Sequence, residues 1–230
     1  AKETGWGTSR FAQEGNALFG QWTWSGEGLK PKDSDKDEGY KMYQVADELS
    51  RLMCRFGMVI DGGKDSLSMA VQHNDTVVKS PGSLVLSLYA RCPDIYKKVT
   101  PDVKIGSDKL YFIDLARGHQ HLSGSILHQR MGFLFKTTNT PPVIRDQSLL
   151  MKTFDIVQKL IKRGEIVAGH DRSDGGLFTT VFEMCMASDC GFRITVPEDA
   201  DLYKFLFNEE LGLVILVRNQ KCLDEFTKEG

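Results

Sequence analysis

Two short segments carry residues whose types and spacing could do chemistry. The first is Asp61-Gly62-Gly63-Lys64-Asp65-Ser66. Adjacent glycines let backbone N–H groups approach a phosphate closely, and Lys64 adds a positive point charge. It is not a P-loop, which needs G-x-x-x-x-G-K-[ST]: Gly63 intervenes before the lysine, and Asp65 stands where Ser or Thr belongs. A phosphate cradle and a tight turn with a surface lysine both fit the pattern. The second segment is Gly169-His170-Asp171-Arg172-Ser173-Asp174-Gly175-Gly176-Leu177. It reads as the end of a buried strand running into a helix N-terminus. Two carboxylates three apart, Asp171 and Asp174, offer the hard oxygen ligands that Mg²⁺ takes. Exposed N–H groups at a helix start favour the phosphates that Mg²⁺ accompanies. Ser173 or Asp174 is also a natural N-cap for that helix, and capping is compatible with the functional reading.

The other reactive side chains say less. His170 beside the second segment is a candidate base or a packing residue. His119, His121 and His128 lie close together in sequence, but a zinc site needs further ligands at a sensible spacing, and Cys92 is distant. There is no G-x-S-x-G elbow around a serine. Cys185 falls on the apolar face of its expected helix and reads as core.

The elements that must position these segments are legible from periodicity. Met42, Ala46, Leu49, Leu52, Met53 and Phe56 recur at helical spacing, with Gly57 as a stop signal. A short strand, Met58–Ile60, precedes the first segment. Alternation on both sides of Asn74-Asp75 predicts a hairpin, and SLVLSLYAR after Pro81-Gly82 is the strongest strand signal. After a connector with Pro93 and Pro101, KLYFIDL reads as a strand and Leu122–Arg130 as a helix. Leu150, Phe154, Val157, Leu160 and Ile161 form a helical face closed by Gly164. EIVAGHD is a short buried strand, and Leu177, Val181, Met184 and Cys185 share the face of the helix after it. FRITV reads as a strand, Asp199–Phe207 as a helix, LGLVILV as a strand, and the residues from Gln220 as helical. The alternation predicts a mixed α/β or α+β fold, and the connector near residues 93–107 suggests two subdomains.

Composition bounds the setting. The 230 residues hold 29 Lys plus Arg against 31 Asp plus Glu, a net charge of −2. That balance argues against broad binding of nucleic acid or an anionic membrane. No apolar run approaches the ~18–20 residues of a membrane helix, and the N-terminus lacks the apolar core of a signal peptide. Five cysteines, an odd number with no C-x-x-C, read as reduced thiols in a cytoplasmic protein.

Taken together, DGGKDSLSM, PGSLVLSLYARCPDI, GHDRSDGGL and FNEELGLVILV resemble, in order and approximate spacing, the large single-chain phosphoribosylformylglycinamidine synthase family. HDRSDGGLFTTVFEMCMASDCGF is the most specific stretch, and the resemblance covers about Gly20 to Val217. It implies an aminoimidazole ribonucleotide synthetase-like fold: a half-barrel part over residues 1–105, then an α+β domain over 106–230. It also implies a role in de novo purine synthesis, in which formylglycinamide ribonucleotide, ATP and glutamine give formylglycinamidine ribonucleotide. ATP would activate the amide oxygen and ammonia from a glutaminase would displace phosphate, chemistry that depends on positioning and charge neutralisation. Residue by residue, Gly63, Lys64 and Ser66 match a loop that approaches ATP and the ribonucleotide. Asp171 matches a Mg²⁺ ligand on a tightly held second nucleotide, and Ser173 matches a residue contacting that nucleotide.

The resemblance also implies partners: the other synthetase half and the glutaminase domain of the same polypeptide. The family's Glu-x-x-x-Asn metal-ligand segment is not found upstream of GQWTW, and the glutaminase residues are absent. The chain is therefore expected to supply nucleotide- and substrate-binding walls and to be inactive alone. With half a barrel it is expected to expose apolar surface and self-associate. Two other readings are a non-catalytic structural nucleotide-binding module and a small-molecule kinase of the same superfamily.

Overall fold

The computed structural model describes residues 38–64, 69–104, 109–132 and 140–229. The chain divides into two compact units, Ala1–Tyr89 and Ala90–Gly230, and its architecture is α+β.

In the first unit, α1 spans Glu38–Phe56, as its periodicity predicts. Gly57 ends it at φ +65, where only glycine is unstrained. The amides of Gly57 and Met58 then turn back onto the carbonyls of Cys54 and Met53. Strands β1 (Ala70–His73) and β2 (Thr76–Lys79) form the expected antiparallel hairpin, with Val71 opposite Val78. Asn74 takes the left-handed conformation that the turn requires. Two expected strands do not form. Met58–Ile60 and residues 83–91 have no strand partner among the described residues, and Val59, Val85 and Tyr89 are exposed by 92%, 84% and 94%. β-branched composition favours extended backbone, but a strand exists only where a second chain segment takes its N–H and C=O groups.

The second unit is built on an antiparallel sheet of order β3-β5-β4. Its strands are β3 (Tyr111–Asp114), β4 (Ile166–Asp171) and β5 (Gly212–Val217). The central β5 is buried on both faces, which explains its uninterrupted apolar sequence. Two side-chain clusters cover those faces. Val214 and Leu216 pack with Ala168, Leu177, Val181, Met184 and Cys185. Ile215, pointing the other way, packs with Ile156, Leu160, Ile166 and Cys222. Ile166 and Ala168 would share a face in a regular strand; a register shift between them sends them to opposite clusters.

Helices α2 (Ile126–Met131), α3 (Gln147–Lys162), α4 (Gly176–Met186), α5 (Leu202–Phe207) and α6 (Asp224–Glu229) complete this unit. Ser125, Asp146 and Asp201 cap the first, second and fourth of these through their side-chain oxygens. In α3 the buried residues are Thr153, Ile156 and Leu160, and Phe154 is 55% exposed. The true inward face is thus rotated from the expected one, because Leu149 to Val157 is apolar on two sides. FRITV forms no strand among the described residues, although Ile194 packs against the α4 cluster. All five cysteines are free. Among the described residues no helix is long and apolar enough to cross a membrane.

Candidate functional site

The Gly169–Leu177 segment runs off the end of β4 into α4, as its sequence predicts. Asp171 closes the strand opposite Leu213. Its side chain is 67% exposed, and one carboxylate oxygen, Oδ2, accepts a short hydrogen bond from Ser173 Oγ. That bond is the main reason its carboxyl titrates below the usual aspartate range; burial opposes it, and His170 adds a smaller favourable contribution. Asp171 and Ser173 are thereby brought together as one polar pair facing solvent.

The expected capping does not occur. The N-cap of α4 is Gly175, at φ +82, and no side chain caps the helix. Its amide instead donates to Glu209 Oε1 at 2.8 Å, and the same oxygen accepts the Ile126 amide at 2.9 Å. One carboxylate therefore serves the N-terminal ends of two helices. Asp174 is exposed beside this turn and is neither cap nor partner to Asp171. Gly176 follows at φ +68, where a Cβ would lie 2.7 Å from the carbonyl oxygens of Leu206 and Asn208. Both glycines are required by backbone geometry, and the segment before β5 presses against Gly176, while a Cβ at Gly175 would meet the Thr179 side chain.

Arg172 ties the turn to the sheet. Its side chain is buried, donating to the carbonyls of Glu210 and Leu211 and lying 4.7 Å above the Phe112 ring. Its backbone amide donates to Gly212 O at 2.8 Å. Burial lowers its pKa, opposed by the nearby carboxylates of Asp114 and Glu210. His170 is held through both ring nitrogens, by the Asp171 carbonyl at 2.7 Å and by Glu183 at 3.1 Å. It is therefore a packing and pairing residue, with neither nitrogen open as a base.

Behind this turn lies a second polar cluster that sequence reasoning missed. Glu210 is fully buried, with Oε1 2.7 Å from His121 Nδ1 and 2.8 Å from an Arg145 guanidinium nitrogen. Burial pushes its carboxyl up, but Arg145 and His121 together outweigh that and hold it below the usual range. Oε2 of Glu210 and Nε of Arg145 have no hydrogen-bond partner among the described residues. The available signal was the acid pair Glu209-Glu210 immediately before an apolar strand, where charge is unexpected unless paired. His119 stacks on His121 with ring centres 5.5 Å apart. Among the described residues, no three His, Cys, Asp or Glu side chains group as a metal site.

The Asp61–Ser66 segment belongs to the first unit. Gly63 and Lys64 are exposed, and Ser66 lies outside the described residues. Neither Gly62 nor Gly63 adopts positive φ, and a Cβ at either would meet nothing within 4 Å. Turn geometry therefore does not require glycine there.

Comparison with known proteins adds two matches of family. Residues 108–230 match the family described as AIR synthase related protein, C-terminal domain. Residues 26–91 match the one described as FGAR-AT PurM_N-like domain. An Arabidopsis thaliana protein named "Probable phosphoribosylformylglycinamidine synthase, chloroplastic/mitochondrial" is 47% identical over 181 residues, covering 77% of this chain and 13% of its own length. The phosphoribosylformylglycinamidine synthase of Dictyostelium discoideum is 37% identical over 227 residues, covering 91% of this chain and 16% of its own. The human protein of that name is 38% identical over 202 residues, covering 86% and 14%. The chain thus spans 13–16% of the length of these relatives.

Proposed function

The chain belongs to the AIR synthase related family, whose C-terminal domain it carries over residues 108–230, and from that premise we propose that it serves formylglycinamidine ribonucleotide synthesis. In this reading it is one part of a longer synthase that joins an amide nitrogen from glutamine to formylglycinamide ribonucleotide at the expense of ATP. The other synthetase half and the glutaminase are its partners within that polypeptide, and the cytoplasm is its compartment. The observation that carries the reading is the exposed, readily ionised Asp171 paired with Ser173 at a glycine turn, in a chain 47% identical to a protein of that name.

The residues fit a Mg²⁺–nucleotide in part. Asp171 offers one hard anionic ligand on a side chain that is 67% exposed; its Oδ2 takes the Ser173 hydroxyl and its Oδ1 lies 3.4 Å from His170 Nδ1. Among the described residues Asp171 belongs to no group of three His, Cys, Asp or Glu side chains that could hold a metal, so most of the remaining oxygens would come from phosphates, water or protein outside them. Mg²⁺, when bound, would neutralise phosphate charge. Ser173 orients Asp171 and keeps it ionised; Glu209, by taking the Gly175 amide, fixes the turn that presents both. His170 is occupied at both nitrogens, so it pairs with its neighbours at this end of the sheet and is not the group proposed to act on the nucleotide. That favours the structural nucleotide-binding reading for the Asp171 end.

Gly63, Lys64 and Ser66 are the proposed contact to ATP and the ribonucleotide. The open space at Gly62 and Gly63 supports close approach by a phosphate over a tight turn. Lys64→Ala in the full-length synthase is expected to lower amidine formation at least tenfold while glutaminase activity is retained. Unchanged amidine formation would refute the assignment of Lys64.

A further inference from the structure

A second site lies at the opposite end of the three-stranded sheet from Asp171. There a cleft of about 930 Å³ opens between the start of β3, the C-terminus of α3, the end of β5 and the 3₁₀ turn Ile95–Lys97. Tyr111, Ile166 and Val217 form its floor. Asp171 is five residues along β4 from Ile166, about 17 Å at strand rise.

Among the described residues, every Lys, Arg, Asp or Glu side chain lining the cleft is a cation. Lys97 and Lys98 come from the 3₁₀ turn, Lys104 and Lys109 from the approach to β3, Lys162 and Arg163 from the end of α3, and Arg218 from the end of β5. Among the described residues two carboxylates answer these seven: Asp102 pairs with Lys104, and Glu225 pairs with Arg163. Lys97 Nζ donates to Lys162 O and Arg218 Nε to Gly164 O, both at 2.9 Å, so both heads are fixed at the end of α3. Lys98, Lys109 and Lys162 form no ion pair among the described residues. The half-charge at a helix C-terminus accounts for about one cation. The chain has 31 acidic residues and a net charge of −2, yet among the described residues no carboxylate pairs with the rest of these cations. Gathering like charge costs energy unless an anion offsets it.

We propose that this cleft binds a small anion carrying two or more linked phosphate groups. Its volume suits a small ligand, and ammonium groups on three separate elements, without ion pairs among the described residues, suit several phosphates at once. The site is independent of the nucleotide reading at Asp171.

Inorganic triphosphate, without Mg²⁺, is the probe. In titration calorimetry on the 230-residue chain it is expected to bind saturably at low salt and to weaken steeply at high salt. The triple variant Lys98→Glu, Lys109→Glu, Lys162→Glu is expected to lose at least tenfold in affinity. A control with three charge reversals at exposed positions elsewhere, Lys41→Glu, Arg91→Glu and Arg193→Glu, stays within about twofold, and so does Asp171→Asn. Displacement of triphosphate by ADP would support a nucleotide as the source of the phosphates, and its failure an inorganic chain. In the unaltered chain, triphosphate is also expected to protect Lys98, Lys109 and Lys162 from amine acylation, read by mass spectrometry. Absence of saturable binding, equal loss in the control, loss in Asp171→Asn, or unprotected lysines would each overturn the proposal.

Discussion

Gly176→Ala separates two reasons for a glycine and so tests how the turn before α4 is built. At φ +68 an alanine costs ~1–2 kcal/mol in backbone strain. The smaller unfolded-state entropy of alanine returns ~0.4–1 kcal/mol. The new Cβ would also sit 2.7 Å from three backbone atoms of residues 206–208. Backbone cannot swing aside as a side-chain tip can, so overpacking adds ~1–3 kcal/mol. The total is about 3 kcal/mol. Gly164→Ala supplies the comparison: φ is +72, but a Cβ there would meet nothing within 4 Å. Only the conformational part remains, about 1 kcal/mol. Urea unfolding of both variants, followed by far-UV circular dichroism, reads the difference of about 2 kcal/mol as a midpoint ~1 M lower for Gly176→Ala. Equal midpoints would show that the Leu206–Asn208 segment does not press on the turn, and the described geometry would be wrong.

Three further outcomes follow from the same contacts. Glu210→Gln leaves Arg145 facing a neutral amide in a buried pocket and is expected to destabilise the chain by ~3–5 kcal/mol at pH 7. Because the Glu210 carboxyl titrates lower when folded, its contribution is complete above the ordinary glutamate pKa of ~4.3 and fades as pH falls through the folded value. The gap between parent and variant in thermal melts should therefore narrow in acid; a gap independent of pH would contradict the pairing. Ser173→Ala removes the main cause of the low Asp171 titration, so the Asp171 carboxyl, followed by NMR against pH, is expected to move up towards the ordinary ~3.9. An unmoved titration would show that Ser173 is not its partner. A disulfide reagent is expected to label Cys54, Cys92 and Cys190 rapidly in the folded chain. Buried Cys222 and Cys185, the latter pushed up to about 11 by burial and by Cys190, should react only on unfolding. Five fast thiols would refute the burial of both.

What the sequence made legible divides along physical lines. α1, the hairpin around Asn74-Asp75 and the β4–turn–α4 segment rest on local periodicity and turn chemistry, which the chain carries within a few residues. SLVLSLYAR and FRITV have strand composition, yet a strand is a non-local fact: pairing depends on what lies beside it. The rotated face of α3 arose because apolar residues occur on two of its sides, and packing against Ile215 and Ile166 chose between them. At the site, the sequence puts Asp171 and Ser173 in one strand-to-helix turn but pairs Asp171 with Asp174, whereas its hydrogen-bond partner in the structure is Ser173. That Gly175 rather than Ser173 or Asp174 would cap the helix was not legible, since the amide's true acceptor, Glu209, is 34 residues away. Glu210 was hidden for the same reason: its partners, His121 and Arg145, are joined to it only by the fold.

On the proposed function, the Asp171–Ser173 end of the sheet holds a Mg²⁺–nucleotide. Titration calorimetry of the chain with ADP and Mg²⁺, beside Asp171→Asn, tests it most directly. Binding is expected to be saturable, to weaken at least tenfold in Asp171→Asn and to be unchanged by the three lysine reversals at the far cleft. No binding in the parent chain, or equal binding in Asp171→Asn, would contradict it.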